Sequence, residues 1–218
     1  MKPLDCTLIA DLLNARTLLE PIDEMPGRSA LEPQAAAVLV PLFRMGGRWR
    51  LLLIRRALQP LDLHSGQVSF PGGRVEPDDA DVAATALREA QEEIALPTEQ
   101  VKLVGRLRGL RTLSNYLVQP VVGCVRWPQP LRAEPSEVAR IFSIPLDWLA
   151  APGRYRVEIW PGPTHPQARP VVFFDEHDGE QLWGISARIT LDLLDALGHP
   201  PKDADRLLLA RVWPMQGD

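Results

Sequence analysis

Apolar positions change their period several times along the chain, and each change predicts an element. Leu8, Leu12, Leu13 and Leu18 fall at roughly helical spacing and predict a short helix over residues 4–19. Residues 21–33 mix Pro, Gly and acids and read as a linker. Two apolar runs follow, Ala35–Phe43, broken by Pro41, and Trp49–Ile54. With Gly46-Gly47 between them they predict two strands joined by a hairpin turn. Residues 57–73 show no clear period and end in Phe70-Pro71-Gly72-Gly73, a turn signal. The period then becomes helical, with Leu87, Ala90 and Ile94 between about Asp79 and Ala95 and either Asp79 or Asp81 as the cap.

Strand-like segments come next at Val101–Leu107 and Leu117–Val125, then a surface loop over Pro128–Pro135, a strand at Val138–Phe142 and a short helix at Leu146–Ala150. Strands at Arg154–Trp160 and Val171–Phe174 flank a Pro-rich loop. A helix at Ser186–Leu197 is stopped by Gly198 and Pro200, and the tail from Lys202 predicts a further short helix. No internal repeat is visible. Strands interleaved with two substantial helices predict an α/β or α+β layered domain.

Composition narrows the classes of partner. A chain of 218 residues, 45% hydrophobic and 24% charged, suits one globular domain with some elaboration. The formal charge of -4, without a basic stripe, speaks against a non-specific nucleic-acid binder and leaves room for a small nucleotide. No apolar run approaches the roughly 20 residues needed to cross a bilayer. The N-terminus lacks the unbroken apolar core of a signal peptide, so the expected partners exclude membrane and the expected location is cytoplasmic. Cys6 and Cys124 form no close-spaced motif and read as free thiols.

The chemistry concentrates in Arg88-Glu89-Ala90-Gln91-Glu92-Glu93. At about 100° per residue, Glu92 lies about 60° to one side of Glu89 and Glu93 about 40° to the other. Three carboxylates therefore share one helical face. They repel one another on a bare helix, whereas hard oxygen ligands on one rigid face suit Mg²⁺ or Mn²⁺. A solvated acidic face is the plainer reading of a bare E-x-x-E-E. Gly72-Gly73 just upstream favours a pocket, because glycine lets backbone approach a ligand closely.

Gly73 through Leu96 resembles the Nudix box, G-x5-E-x7-R-E-U-x-E-E-x-G-U, where U is a bulky apolar residue. Arg88, Glu89, Glu92, Glu93 and Leu96 match its second half. One extra residue separates Gly73 from Arg88, Ala95 stands in place of the last Gly, and the early Glu falls near Asp79. Gly66-Gln67-Val68-Ser69-Phe70-Pro71-Gly72-Gly73 further resembles the extended signature of the coenzyme A pyrophosphatase subfamily, and Leu52, Leu53 and Arg56 fit its beginning. Asp62 departs from it, standing where the signature has Arg. The resemblance covers about residues 35–198.

It implies a Nudix-type α/β/α sandwich with a mixed β-sheet between helices, formed by residues 35–218 as one domain after an N-terminal helical extension and linker, 1–34. It implies a pyrophosphohydrolase that splits coenzyme A or its derivatives into 4′-phosphopantetheine and adenosine 3′,5′-bisphosphate with Mg²⁺ or Mn²⁺. Another nucleoside diphosphate derivative, such as ADP-ribose or a dinucleotide, is the neighbouring reading, and a non-catalytic nucleotide sensor a more distant one. Under the resemblance Glu89 and Glu93 are metal ligands, joined by the Gly73 carbonyl and by Glu92 as ligand or water-orienting group. Arg88 orients a glutamate. Glu92 and Glu137 are the two candidates for the general base. Read from their place at a strand end, Arg55 and Arg56 are either phosphate contacts or a solvated strand terminus; with Gly72 and Gly73 they are the expected substrate contacts, and the expected assembly is a monomer or homodimer.

Overall fold

The structure, a computed structural model, describes residues 4–16, 22–23, 32–60, 64–161, 168–203, 205 and 209. Its centre is the hairpin that the two apolar runs predict. Strands β2 (Gln34–Met45) and β3 (Arg48–Arg56) pair antiparallel across Met45 and Arg48. Gly46 and Gly47 between them have φ of 59° and 80°, the left-handed pair that a tight two-residue turn requires. Pro41 does not break β2. Its strand leaves β5 (Gly72–Arg74) at Val38 and joins β3 at Leu42, so the missing N–H falls where the ladder changes partner.

On the other side of β2 runs β8 (Tyr116–Val125), parallel to it, and β9 (Val138–Pro145) lies antiparallel to β3. With β4 (Val68–Ser69), β6 (Val101–Arg106) and β7 (Leu110–Arg111) these strands make one mixed sheet. Part of the segment expected as linker also belongs to it, because β1 (Ile22–Asp23) pairs parallel with β7.

Alternation along the central strands splits the core between two faces. Ala37, Leu39, Phe43, Leu52, Ile54 and Val121 pack beneath Ala83, Ala86, Ala90 and Ile94 of helix α2 (Val82–Ile94). Val40, Leu42, Leu51, Leu53 and Val122 face the opposite way. They meet α1 (Cys6–Asn14), α3 (Leu146–Leu149) and α4 (Gly184–Ala196). Helices therefore cover both faces of a mixed sheet, the expected α/β/α sandwich. Before α4 the chain makes a separate antiparallel pair, β10 (Tyr155–Pro161) and β11 (Ala168–Phe174).

Asp5 caps α1 by accepting from the Leu8 N–H at 2.8 Å. The helix ends at Asn14, and residues 17–19 of the longer predicted helix lie outside the described residues, as does most of the tail beyond Lys202.

Candidate active site

Helix α2 is held at both ends. Asp81, not Asp79, is its cap and accepts from the N–H groups of Ala83 and Ala84 at 2.8 and 2.9 Å. At the other end Ala95 adopts the left-handed conformation, φ 53°, at the position where the box carries Gly. The carbonyls of Glu93 and Ile94, orphaned by the helix end, accept from Glu134 at 2.8 Å and Arg132 at 3.1 Å. These bonds draw the loop ahead of Glu137 against the glutamate face.

The three glutamates occupy different environments. Glu93 is 1% exposed and accepts the Gly72 N–H at 3.0 Å, with the Arg56 guanidinium 3.9 Å away. Burial pushes its pKa up to about 8, against the pull of Gly72 and Arg56, and the charges of Glu89 and Glu137 add to the rise. Glu89 is shifted up as well, again chiefly by burial, with Arg88 opposing. Its carboxylate lies over Gly73 so closely that a Cβ there would stand 2.3 Å from Oε1. Glu92 is exposed and reaches back to Arg88 at 3.0 Å.

Arg88 organises this face from one side. Its Nε and Nη2 grip both oxygens of Asp79 at 3.0 Å, Nη1 reaches Glu89 at 3.1 Å, and Nη2 also donates to the Arg74 carbonyl at 3.0 Å. The Arg88 grip, with donation from the Glu76 N–H and Thr85 hydroxyl, holds the Asp79 carboxyl well below the usual carboxylate range. From the sequence alone, Asp79 carries no firm role beyond a candidate helix cap near the early Glu of the box. The available signal was an acid nine residues before Arg88, at the start of a helix.

Among the described residues no three acidic, histidine or cysteine side chains converge into a ready-made cage. The donor chemistry nonetheless fits a hard divalent cation. Glu89 and Glu93 are carboxylates whose charge is costly where they stand, and Gly73 keeps the space beside them free of a side chain.

The structure separates Arg55 from Arg56. Alternation along β3 sends Arg56 to the α2 face, toward Glu93, and Arg55 to the opposite face. There Arg55 meets Glu180 at 3.1 Å, and Arg140 meets the same carboxylate at 3.0 Å. Arg55 is thus not brought to the glutamate pocket. Glu137 is exposed in the turn ahead of β9, and its charge bears on both the half-buried Glu89 and the buried Glu93. Its carbonyl accepts from Ala57, just past Arg56, at 2.8 Å. An open groove of about 590 Å³ runs along the outside of α2 past Ala84, Leu87, Gln91 and Thr98, touching Arg88 and Glu92 but neither Glu89 nor Glu93. Glu89 and Glu93, not this groove, mark the chemistry.

The profile of the NUDIX domain family matches residues 33–161, more than half of the chain. The chain belongs to the Nudix family. The Nudix hydrolase NudL of Shigella sonnei is 36% identical over 196 residues, spanning 89% of this chain and 97% of that protein. NudL of Cronobacter sakazakii is 39% identical over 175 residues, spanning 80% and 88%. Among solved structures, a MutT/nudix family protein from Enterococcus faecalis shares the fold, with a TM-score of 0.50 at 15% identity, covering 87% of this chain and 70% of the other. As a Nudix hydrolase the protein is a pyrophosphohydrolase of nucleoside diphosphate derivatives, in a family that generally uses divalent metal ions. No helix among the described residues is long and apolar enough to cross a membrane.

Proposed function

We propose that this Nudix hydrolase cleaves the diphosphate linkage of coenzyme A or its derivatives, releasing 4′-phosphopantetheine and adenosine 3′,5′-bisphosphate. The observation that carries the reading is the course of Gly66–Gly73. This subfamily-like segment delivers the Gly72 N–H onto Glu93 and the bare Gly73 backbone onto Glu89. Glu89, Glu93, the Gly73 carbonyl and Glu92 would hold Mg²⁺ or Mn²⁺, which supplies charge neutralisation on the diphosphate and a more acidic water.

The protein's own residues divide the remaining work. Arg88, anchored by Asp79, keeps Glu89 and Glu92 in position. Arg56 binds a phosphate oxygen on the α2 face. Of the two candidate bases, Glu92 is tied to Arg88, which favours Glu137 for accepting the proton of the attacking water. Residues 1–34 act as an extension to a single catalytic domain, 35–218, working in the cytoplasm as a monomer or homodimer.

Asp62 favours a second reading, because an acid repels an anionic group at that point of the signature. Asp62 lies outside the described residues. ADP-ribose or a dinucleotide would then replace coenzyme A. The test is hydrolysis of coenzyme A, ADP-ribose and dinucleotides with Mg²⁺ or Mn²⁺, comparing the natural protein with Glu93→Gln. Coenzyme A cleavage that the substitution abolishes is the expected result. Cleavage of the other substrates alone would overturn the coenzyme A assignment while keeping the family's chemistry.

A further inference from the structure

The ribbon of β10 and β11 forms its own sheet, and among the described residues β10 pairs with no strand but β11. The other side of β11 is taken, since Phe173 bridges to Trp183 and the Phe174 N–H donates to the Leu182 carbonyl at 2.8 Å. That bond fixes which groups of β10 point outward. Residues opposite each other in an antiparallel pair turn their N–H and C=O groups either toward one another or both away. Phe174 turns its N–H away from β10, so Tyr155, opposite it, turns its own groups away from β11. The next position points inward, because the Asp175 N–H donates to the Arg154 carbonyl at 2.8 Å. Alternation then lines the N–H and C=O groups of Tyr155, Val157 and Ile159 along an edge that no described strand occupies.

Open edges are commonly blunted by a proline, a bulge or charges that repel a second strand. Over 155–159, β10 has no proline, glycine or bulge, and its two charges, Arg156 and Glu158, are of opposite sign. Beside them Ile159 is 49% exposed and Trp160 40%.

We infer that this edge is a homodimer interface, in which two copies of the chain join β10 to β10 antiparallel about a twofold axis at Val157. Such an interface is self-complementary and closes at two copies. The axis sets the outward groups of Val157 against those of the second copy, and Tyr155 against Ile159 in both directions, so every outward N–H and C=O of 155–159 gains a partner. Arg156 then falls opposite Glu158 of the second copy, and Glu158 opposite its Arg156, in the pairs whose side chains stand closest. Both side chains already lie on one face of the ribbon, where they meet within the chain at 2.7 Å. Neighbouring registers fit worse. An axis at Tyr155 would set Arg156 against Arg154, and one at Ile159 would draw Pro161, which has no N–H, into the ladder.

The test follows the mass of the full chain by light scattering over a concentration series, a readout independent of the substrate assignment, with circular dichroism to show that each variant is folded. The natural chain is expected to dimerise. Arg156→Glu and Glu158→Arg place like charges opposite each other, and each should weaken the dimer by about 10-fold or more. Mixing these two variants should restore it, because two glutamates of one chain then face two arginines of the other. Val157→Pro deletes an outward N–H, spares the bonds to β11 and should leave a folded monomer. A natural chain that stays monomeric at every concentration, its edge left to solvent or to another segment of the same chain, would overturn the pairing. So would a dimer that all three variants leave intact, or a mixture of the charge variants that stays monomeric.

Discussion

Glu93 is the residue at which burial and charge conflict most directly. An ordinary carboxyl with a pKa of 4.5 is held at about 8, so the folded chain keeps a proton that the unfolded chain releases. The contribution of Glu93 to stability without divalent metal is therefore full below about 4.5 and falls as pH rises toward 8, at up to about 1.4 kcal/mol per pH unit. Above 8 the loss is complete. Glu93→Gln removes the titrating group, so its urea midpoint should change far less between pH 5 and 8. Parallel profiles for the two proteins would contradict this account. The need for carboxylates was readable from the spacing of Glu89, Glu92 and Glu93. Their unequal burial was not, because it depends on β5 crossing over two of them and leaving the third to solvent and Arg88.

At the scale of elements, the end of α2 carries a local cost. Ala95 has a Cβ in the left-handed region, which disfavours it by roughly 1–2 kcal/mol. Ala95→Gly relieves the clash, partly offset by the greater freedom of glycine in the unfolded chain. The expected net gain is about 1 kcal/mol, a rise of a few degrees in thermal unfolding, with hydrolysis retained. A lower melting temperature would show that the bonds from Arg132 and Glu134 already relax this turn. The opposed faces of β3 give a second contrast. Arg56→Ala should lower hydrolysis by about 10- to 100-fold, the worth of one charge-assisted bond. Arg55→Ala should leave turnover within about twofold and cost about 1–2 kcal/mol of stability, since Glu180, 3% exposed, loses one of the two arginines that pair with it among the described residues. Kinetics and denaturation on the two variants check both statements, and an equal loss of turnover would remove the assignment by face.

The molecule as a whole is a sheet read from two sides. Local pattern announced most of it: the apolar runs of β2 and β3, the glycine pair of their turn, and the period of α2 with its acidic face are all short-range signals that a chain carries along its length. The Nudix box was equally visible, since its residues lie within one turn-and-helix unit. Three features were not. They are the Asp79 anchor under Arg88, the parting of Arg55 from Arg56, and the strand pairing of Ile22–Asp23 inside an expected linker. Sequence alone determined which elements form and which chemistry rides on them, because propensity, turn residues and periodicity act between near neighbours. Tertiary structure decided which side chains are desolvated and which charges share a pocket. Those outcomes depend on the order and direction of strands in the sheet, a long-range packing result that no local run of residues encodes.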